Sequence, residues 1–161
     1  MTKRIFSQAF VVVGAIIEKE GKILLVKEGS GTEKAKWNQP AGGIEVGENP
    51  IGEIRREVKE ETGFDFEPTG LVGIYSLVNK YLEPKYGAIP HPFKLIFRGN
   101  VVGGELIKNN DEIAETRWFT PEEIGRMNKE KLRDMDIVDE VKDYFAGRNF
   151  QLDLIRHNVI K

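Results

Sequence analysis

Four glutamates crowd one short stretch of this chain: Glu53, Glu57, Glu60 and Glu61, with Arg56 among them. At about 100° per residue on a helix they share one sector of roughly 80–100°. Glu53/Glu57 and Glu57/Glu61 are like-charge pairs at i,i+4, each costing an isolated helix about 0.2–0.5 kcal/mol. Two readings are open. Most charge runs on helices are solvated faces. The other reading is a cradle for a hard divalent cation, Mg²⁺ or Mn²⁺, because such ions take carboxylate oxygens and keep several waters. The loop before the glutamates favours the cradle. Gly42, Gly43 and Gly47 allow close backbone approach and positive φ, and Glu45 and Glu48 bring more carboxylate to the same place. A cation held there would face a phosphate-bearing substrate.

The element that must carry these side chains has legible ends. Asn49 is a good N-cap, Pro50 suits the first helical position, and Gly63 supplies the left-handed residue that closes many helices. A helix is therefore expected over Pro50 to Thr62. Ile51, Ile54 and Val58 form the adjoining apolar sector that can face a core.

The stretch GGIEVGENPIGEIRREVKEETGF, residues 42–64, resembles the Nudix box, G-x5-E-x7-R-E-U-x-E-E-x-G-U with U a bulky residue. Gly42, Glu48, Arg56, Glu57, Val58, Glu60, Glu61, Gly63 and Phe64 fill its specified positions. The resemblance implies a Nudix-type α/β/α sandwich with a mixed β-sheet, and a metal-dependent pyrophosphohydrolase that opens a diphosphate linkage by attack of water at phosphorus. It implies metal binding by Glu57, Glu60 and Glu61, helped by the Gly42 carbonyl and Glu112. Glu60 is the first choice as general base and Glu112 the second; Arg56 would hold Glu57 in its ligating rotamer. Glu112 enters because several Nudix enzymes take an extra carboxylate six residues ahead of a Trp, here Trp118, with Glu115 as the backup. The Trp37-Asn38 pair is similar to one in Nudix enzymes whose Asn contacts a base, and Tyr81 stands where some dinucleoside polyphosphate hydrolases carry a tyrosine. Nudix-related alternatives are a dinucleoside polyphosphate or ADP-ribose-type hydrolase, and a module that binds nucleotide without cleaving it.

The rest of the chain bounds these readings. Its 161 residues suit one domain, with the core over about residues 8–145 and a tail from 146 to 161. The net charge of −2 makes nucleic acid an improbable partner and leaves a small phosphorylated molecule, a nucleotide by the resemblance. With no cysteine there are no disulfides, thiolate metal sites or cysteine nucleophiles. No apolar run approaches the roughly 20 residues of a membrane span. Lys3 and Arg4 precede a short apolar run that Glu18 to Lys22 interrupt, unlike a signal peptide, so a cytoplasmic location is expected.

Ala9 to Ile17 reads as a buried strand and Ile23 to Val26 as its hairpin partner. The loop GSGTEKAK lacks the phosphate-loop pattern, yet Lys34 and Lys36 could reach a phosphate from it. Further strands are expected from Phe64 to Phe66, Leu71 to Val78, Phe93 to Val102 (one face buried) and Thr116 to Phe119, with a turn at Gly103-Gly104. Thr120-Pro121-Glu122-Glu123 is a capping box opening a short helix. Leu132, Met135, Val138, Val141 and Phe145 give a helix from Lys131 to Ala146. The apolar tail either pads the core or pairs with a second subunit as a homodimer.

Overall fold

The computed structural model describes residues 9–31 and 33–161, apart from the side chain of residue 81. Lys3, Arg4, Gln8 and Thr32 lie outside the described residues. In chain order the elements are β1 (Ala9–Ile16), β2 (Glu18–Lys19), β3 (Lys22–Glu28), β4 (Trp37–Asn38), β5 (Ala41–Gly43), α1 (Pro50–Thr62), β6 (Phe64–Ser76), α2 (Glu83–Tyr86), β7 (His91–Gly104), β8 (Ile113–Phe119), α3 (Pro121–Gly125) and α4 (Ile137–Phe145). Alternation of strands with helices leads to a sheet covered on both faces, and that is the arrangement here.

The central sheet is mixed, in the order β5-β1-β7-β6, with β1 and β7 parallel and the other pairs antiparallel. A second, antiparallel sheet joins β2, β3 and β4, with β8 along the other side of β3. On one face Ile54 and Val58 of α1 pack with Val13, Leu71 and Phe97; on the other Ile137 and Val141 of α4 pack with Ile16, Val72 and Ile96. Successive residues of β7 therefore face opposite layers: Phe97 lies toward α1 and Ile96 toward α4. Burying an aliphatic side chain fully is worth about 1.5–3 kcal/mol, so the fully buried pair Ile54 and Val58 is enough to fix which face of α1 points outward.

Four expectations change. Ile23–Val26 is not the partner of β1: the chain switches sheets at Ile17, and the hairpin is confined to Glu18↔Ile23 and Lys19↔Lys22. The segments 64–66 and 71–78 are one strand, β6, bent by register shifts at Asp65/Phe66, Pro68/Gly70 and Leu71/Gly73. Strand β7 is covered on both faces at its middle, where Lys94, Ile96 and Phe97 are all buried while Phe93 is exposed, and it runs through Gly103 and Gly104 rather than turning there.

The fourth change is the largest. Only Ile137–Phe145 of the segment 131–146 is helical. Residues 131–133 instead run beside Trp37, whose N–H donates to the Lys131 carbonyl (2.7 Å) and whose carbonyl accepts from Arg133 N–H (2.9 Å). Just beyond, the buried Lys94 ammonium takes Asp136 at 2.8 Å and Glu140 at 2.6 Å, with Asp134 at 3.8 Å. An ammonium in the interior needs anionic partners, and reaching it holds residues 131–136 out of a regular helix.

The tail returns to its own chain. Phe150 exchanges backbone hydrogen bonds with Leu71 (2.8 Å each way), and Leu152 and Ile155 pack against the α1-side core.

Candidate active site

Helix α1 begins and ends as its capping residues dictate. The Asn49 side chain accepts from Ile51 N–H at 2.9 Å, and Gly63 closes the helix at φ 80°. With Ile54 and Val58 inward, the acidic sector swings toward β5. The Glu57 carboxylate lies so close to Gly42 that a Cβ built there would overlap it. One turn on, Glu61 is buried and accepts from Ala41 N–H at 3.0 Å. Strand β5 is thus the floor on which two carboxylates rest.

Arg56 ties the sector together. It donates Nη1 to Glu60 at 2.7 Å and Nη2 to Glu57 at 2.9 Å, and grips Glu53 through both Nε and Nη2. The Arg56 hydrogen bond holds the Glu53 carboxyl below its ordinary value although burial opposes it. Glu57 goes the other way: burial first, then the Glu53 carboxylate, push it up to about 7. Burial likewise raises Glu61 well above the usual range, against the Ala41 hydrogen bond. One guanidinium among four carboxylates leaves an excess of negative charge. A cation placed among them would relieve it.

The same strand borders a second feature. Ala41, Gly42 and Gly43 form one edge of a cavity of about 460 Å³ that extends to Leu82, Tyr86 and Pro90. That is within the range of small-ligand pockets, about 300–1,000 Å³. Asn38 stands in its wall, 5 % exposed, and its Oδ1 has no hydrogen-bond partner among the described residues. The Asn79 Oδ1 is buried in the same wall and likewise unpartnered among the described residues.

A profile of the NUDIX domain matches residues 8–140, most of the chain. The chain belongs to the NUDIX family. Its relatives include an ADP-ribose pyrophosphatase of Methanocaldococcus jannaschii, 32% identical over 91% of this chain and 79% of that one. Phosphatase NudJ of Escherichia coli strain K12 is 28% identical over 90% of this chain and 89% of its own. Among solved structures, a NUDIX hydrolase from Nitrosomonas europaea superposes with a TM-score of 0.73 at 33% identity, covering 93% of this chain and 97% of that one. This Nudix protein is accordingly an enzyme, a pyrophosphohydrolase of a family that generally needs a divalent metal.

The residues singled out from the sequence of this Nudix hydrolase fall into three groups. Gly42, Arg56, Glu57, Glu60 and Glu61 come together at β5 and α1, and Asn38 sits beside them in the cavity wall. Glu112 is exposed on the loop before β8. Its carbonyl accepts from Gly29 N–H at 2.8 Å, while Asn110 in the same loop donates to the Glu60 carbonyl at 2.8 Å. That tether brings the loop to the C-terminal end of α1. The backup, Glu115, is taken by Lys27 at 2.9 Å. Lys36 does not face the cavity: it is paired with the buried Glu33 at 2.6 Å, and it is Glu33 that lines the wall. The side chain expected at Tyr81 lies outside the described residues, between Lys80 and the lining residue Leu82.

Sequence reasoning placed Glu53 in the acidic sector without its role as the anchor of Arg56, and passed over Glu28, Arg133 and Lys94. Glu53 had a signal, since it precedes Arg56 by one turn. Glu28 and Arg133, an ion pair at 2.8 Å, come from segments 105 residues apart and had none.

The donor set suits a hard divalent ion: oxygen only, carboxylates in excess, and a glycine where any side chain would fill the cradle. Among the described residues no three acidic or histidine side chains already close into a cage; Arg56 holds Glu57 and Glu60 instead. A methyl group at Gly42 must displace Glu57, so Gly42→Ala should lower kcat/KM by about 10–100-fold, the range seen when a ligand loses its support. Steady-state kinetics alongside a thermal melt checks this; unchanged kcat/KM would detach Glu57 from the reaction.

Proposed function

We propose that this Nudix hydrolase cleaves the diphosphate linkage of a nucleoside diphosphate derivative, with the nucleoside in the cavity and the diphosphate across β5. The observation that carries the proposal is that β5 is shared: Ala41–Gly43 are at once the edge of the cavity and the seat of Glu57 and Glu61. A substrate that fills the pocket is thereby delivered to the acidic helix. The orphaned acceptors Asn38 Oδ1 and Asn79 Oδ1 suit a ligand that brings donors, an exocyclic amine or ribose hydroxyls.

Glu57, Glu60, Glu61 and the Gly42 carbonyl would hold the ion, Mg²⁺ first and Mn²⁺ as its substitute. When bound, a divalent ion polarises phosphoryl oxygens and makes water a better nucleophile. Glu60, half-exposed and held by one Arg56 nitrogen, is placed to take the proton of the attacking water. Arg56 keeps Glu57 facing β5 and is itself anchored by Glu53. Glu112 supplies a further carboxylate when its tethered loop closes on α1. Asn38 orients the base. We place the whole chain, residues 1–161, in one domain working on small phosphorylated molecules in the cytoplasm; among the described residues no helix is long and apolar enough to cross a membrane.

The test is phosphate or phosphomonoester release over a panel of ADP-ribose, nucleoside di- and triphosphates and dinucleoside polyphosphates. ADP-ribose comes first because the archaeal relative is named for it. Activity should vanish with EDTA and return with Mg²⁺ or Mn²⁺; hydrolysis without metal would contradict the cradle. On the best substrate Asn38→Ala should raise KM about tenfold with kcat little changed, the loss expected for one hydrogen bond. A fall in kcat at constant KM would move Asn38 from binding to chemistry.

A further inference from the structure

The cavity wall contains two cations, Lys94 and Arg133. They are not equivalent. The Lys94 side chain is 2 % exposed and already faces Asp136, Glu140 and Asp134, so it has no charge to offer a ligand. The Arg133 side chain is 42 % exposed and, among the described residues, has one anionic partner within ion-pair distance, Glu28 at 2.8 Å. Its backbone is held on both sides: Arg133 N–H donates to Trp37, the residue before Asn38, and Asp134 next to it leans toward Lys94. The guanidinium is thus carried by a fixed segment at the cavity wall.

Its position along the wall matters as much. Glu28 and Arg133 both act electrostatically on Glu61, the carboxylate resting on Ala41. Arg133 therefore stands where the cavity meets the acidic helix. A diphosphate crossing from one to the other is repelled by the glutamates of α1 and by Asp134 in the wall, whereas Glu33 there is already paired with Lys36 and Lys85. A cation among the glutamates would act on the helix side, and the exposed Arg133 guanidinium is the group of the wall that can offset the repulsion on the cavity side. Guanidinium suits the task because its planar fork of donors matches phosphate oxygens.

We propose that Arg133 is a substrate-binding residue that takes the phosphate attached to the nucleoside, exchanging Glu28 for it when substrate enters. The assignment rests on the nucleotide reading above and adds the residue that recognises the phosphate on the cavity side. Glu28 keeps the guanidinium in place in the free protein and competes with the ligand for it.

The experiment separates phosphate recognition from everything else in the pocket. Binding of AMP and adenosine, and of the GMP, CMP and UMP pairs with their nucleosides, is followed by NMR titration of the full chain in EDTA, so that no metal contributes. The same titrations are run on Arg133→Gln, Arg133→Lys and Glu28→Gln. For the tightest pair, Arg133→Gln should weaken the nucleotide by about tenfold or more, as loss of a charged hydrogen bond does, and leave the nucleoside unchanged. Arg133→Lys should fall between, and Glu28→Gln should tighten the nucleotide by removing the competitor. Unchanged nucleoside binding also certifies that the variant is folded. Equal weakening of nucleotide and nucleoside would overturn the proposal, making Arg133 a wall of the pocket, and so would no effect on either. If wild type bound and hydrolysed nucleotides under either of those results, only the Arg133 assignment would fail; if it bound none of the eight compounds, the nucleotide reading would fail with it.

Discussion

Glu57→Gln should lower turnover by about three orders of magnitude while the chain stays folded. Charge stabilisation through a bound ion is worth several kcal/mol in the transition state, and each 1.4 kcal/mol is about tenfold in rate. Glutamine keeps the shape of the side chain, so it still fits against Gly42, but it withdraws the charge on which the cation depends. Stability should move the opposite way. In metal-free protein Glu57 is a largely buried acid with Glu53 and Glu61 each one turn away, and only one Arg56 nitrogen reaches it. Removing it relieves two like-charge pairs of about 0.2–0.5 kcal/mol each, set against the loss of that Arg56 contact. Denaturation in EDTA should therefore find the variant equal to wild type or slightly more stable, whereas in excess Mg²⁺ wild type should gain and the variant should not. Wild-type turnover in Glu57→Gln would remove the helix from the chemistry. Loss of both turnover and fold would make the acidic sector structural.

The contrast between α1 and the segment before α4 explains what the sequence discloses. Every feature of α1 is local. Asn49, Pro50 and Gly63 act on backbone groups within one turn, and the two sectors of the helix follow from its period alone. The helix accordingly runs from Pro50 to Thr62 as expected, and its acidic face meets the glycine loop just before it.

Lys94 is the opposite case. On β7 it alternates with Phe93 and Leu95 and so reads as the solvent side of a half-buried strand. Nothing nearby announces that the carboxylates it meets lie 40 to 46 residues on, at Asp134, Asp136 and Glu140. Those acids, read locally, are the polar face of a helix whose stripe includes Leu132 and Met135. Only the tertiary pairing holds them off the helical path, and Arg133 reaches the cavity with them. The switch between sheets at Ile17 was hidden for a similar reason. Alternation identifies a strand, but the partners of β1 are β5 and, some eighty residues away, β7, and periodicity carries no information about such pairing.

Lys94→Met should cost about 3–5 kcal/mol, the penalty for stripping one partner from a buried ionic cluster, and lower the melting temperature by on the order of 10 °C in a chain of this size. The balance of charge is why the loss is so large: one ammonium serves Asp136, Glu140 and Asp134, and methionine removes it from all three, leaving Asp134 only the charge of its neighbour Arg133 among the described residues. The same imbalance has a pH signature in wild type. Burial pushes the fully enclosed Glu140 carboxyl up to about 7, although Lys94 pulls it down. The Lys94 ammonium is held above its ordinary range despite burial, because the three acids outweigh it, so it stays charged throughout. A carboxyl that keeps its proton longer in the folded chain than in the unfolded one favours folding at low pH. Glu140 therefore adds stability that is complete below about 4.5 and is lost as the pH climbs through about 7, on the order of 3 kcal/mol in all. Glu140→Gln is the isosteric mimic of the protonated acid: its oxygen can accept from Lys94, and its amide can donate to Gln39 Oε1, unpartnered among the described residues, once the Gln39 amide that now donates to Glu140 turns over. Urea denaturation in EDTA between pH 4.5 and 8 should find wild type losing stability across this window more steeply than Glu140→Gln, the difference between the two curves isolating Glu140 from Glu57 and Glu61, which drift in the same direction. Parallel curves would mean that Glu140 is ionised throughout. Lys94→Met should lose more at pH 8 than at pH 5, since the acids it strands are then fully charged; an equal loss at both would mean that packing, not charge, is what Lys94 contributes.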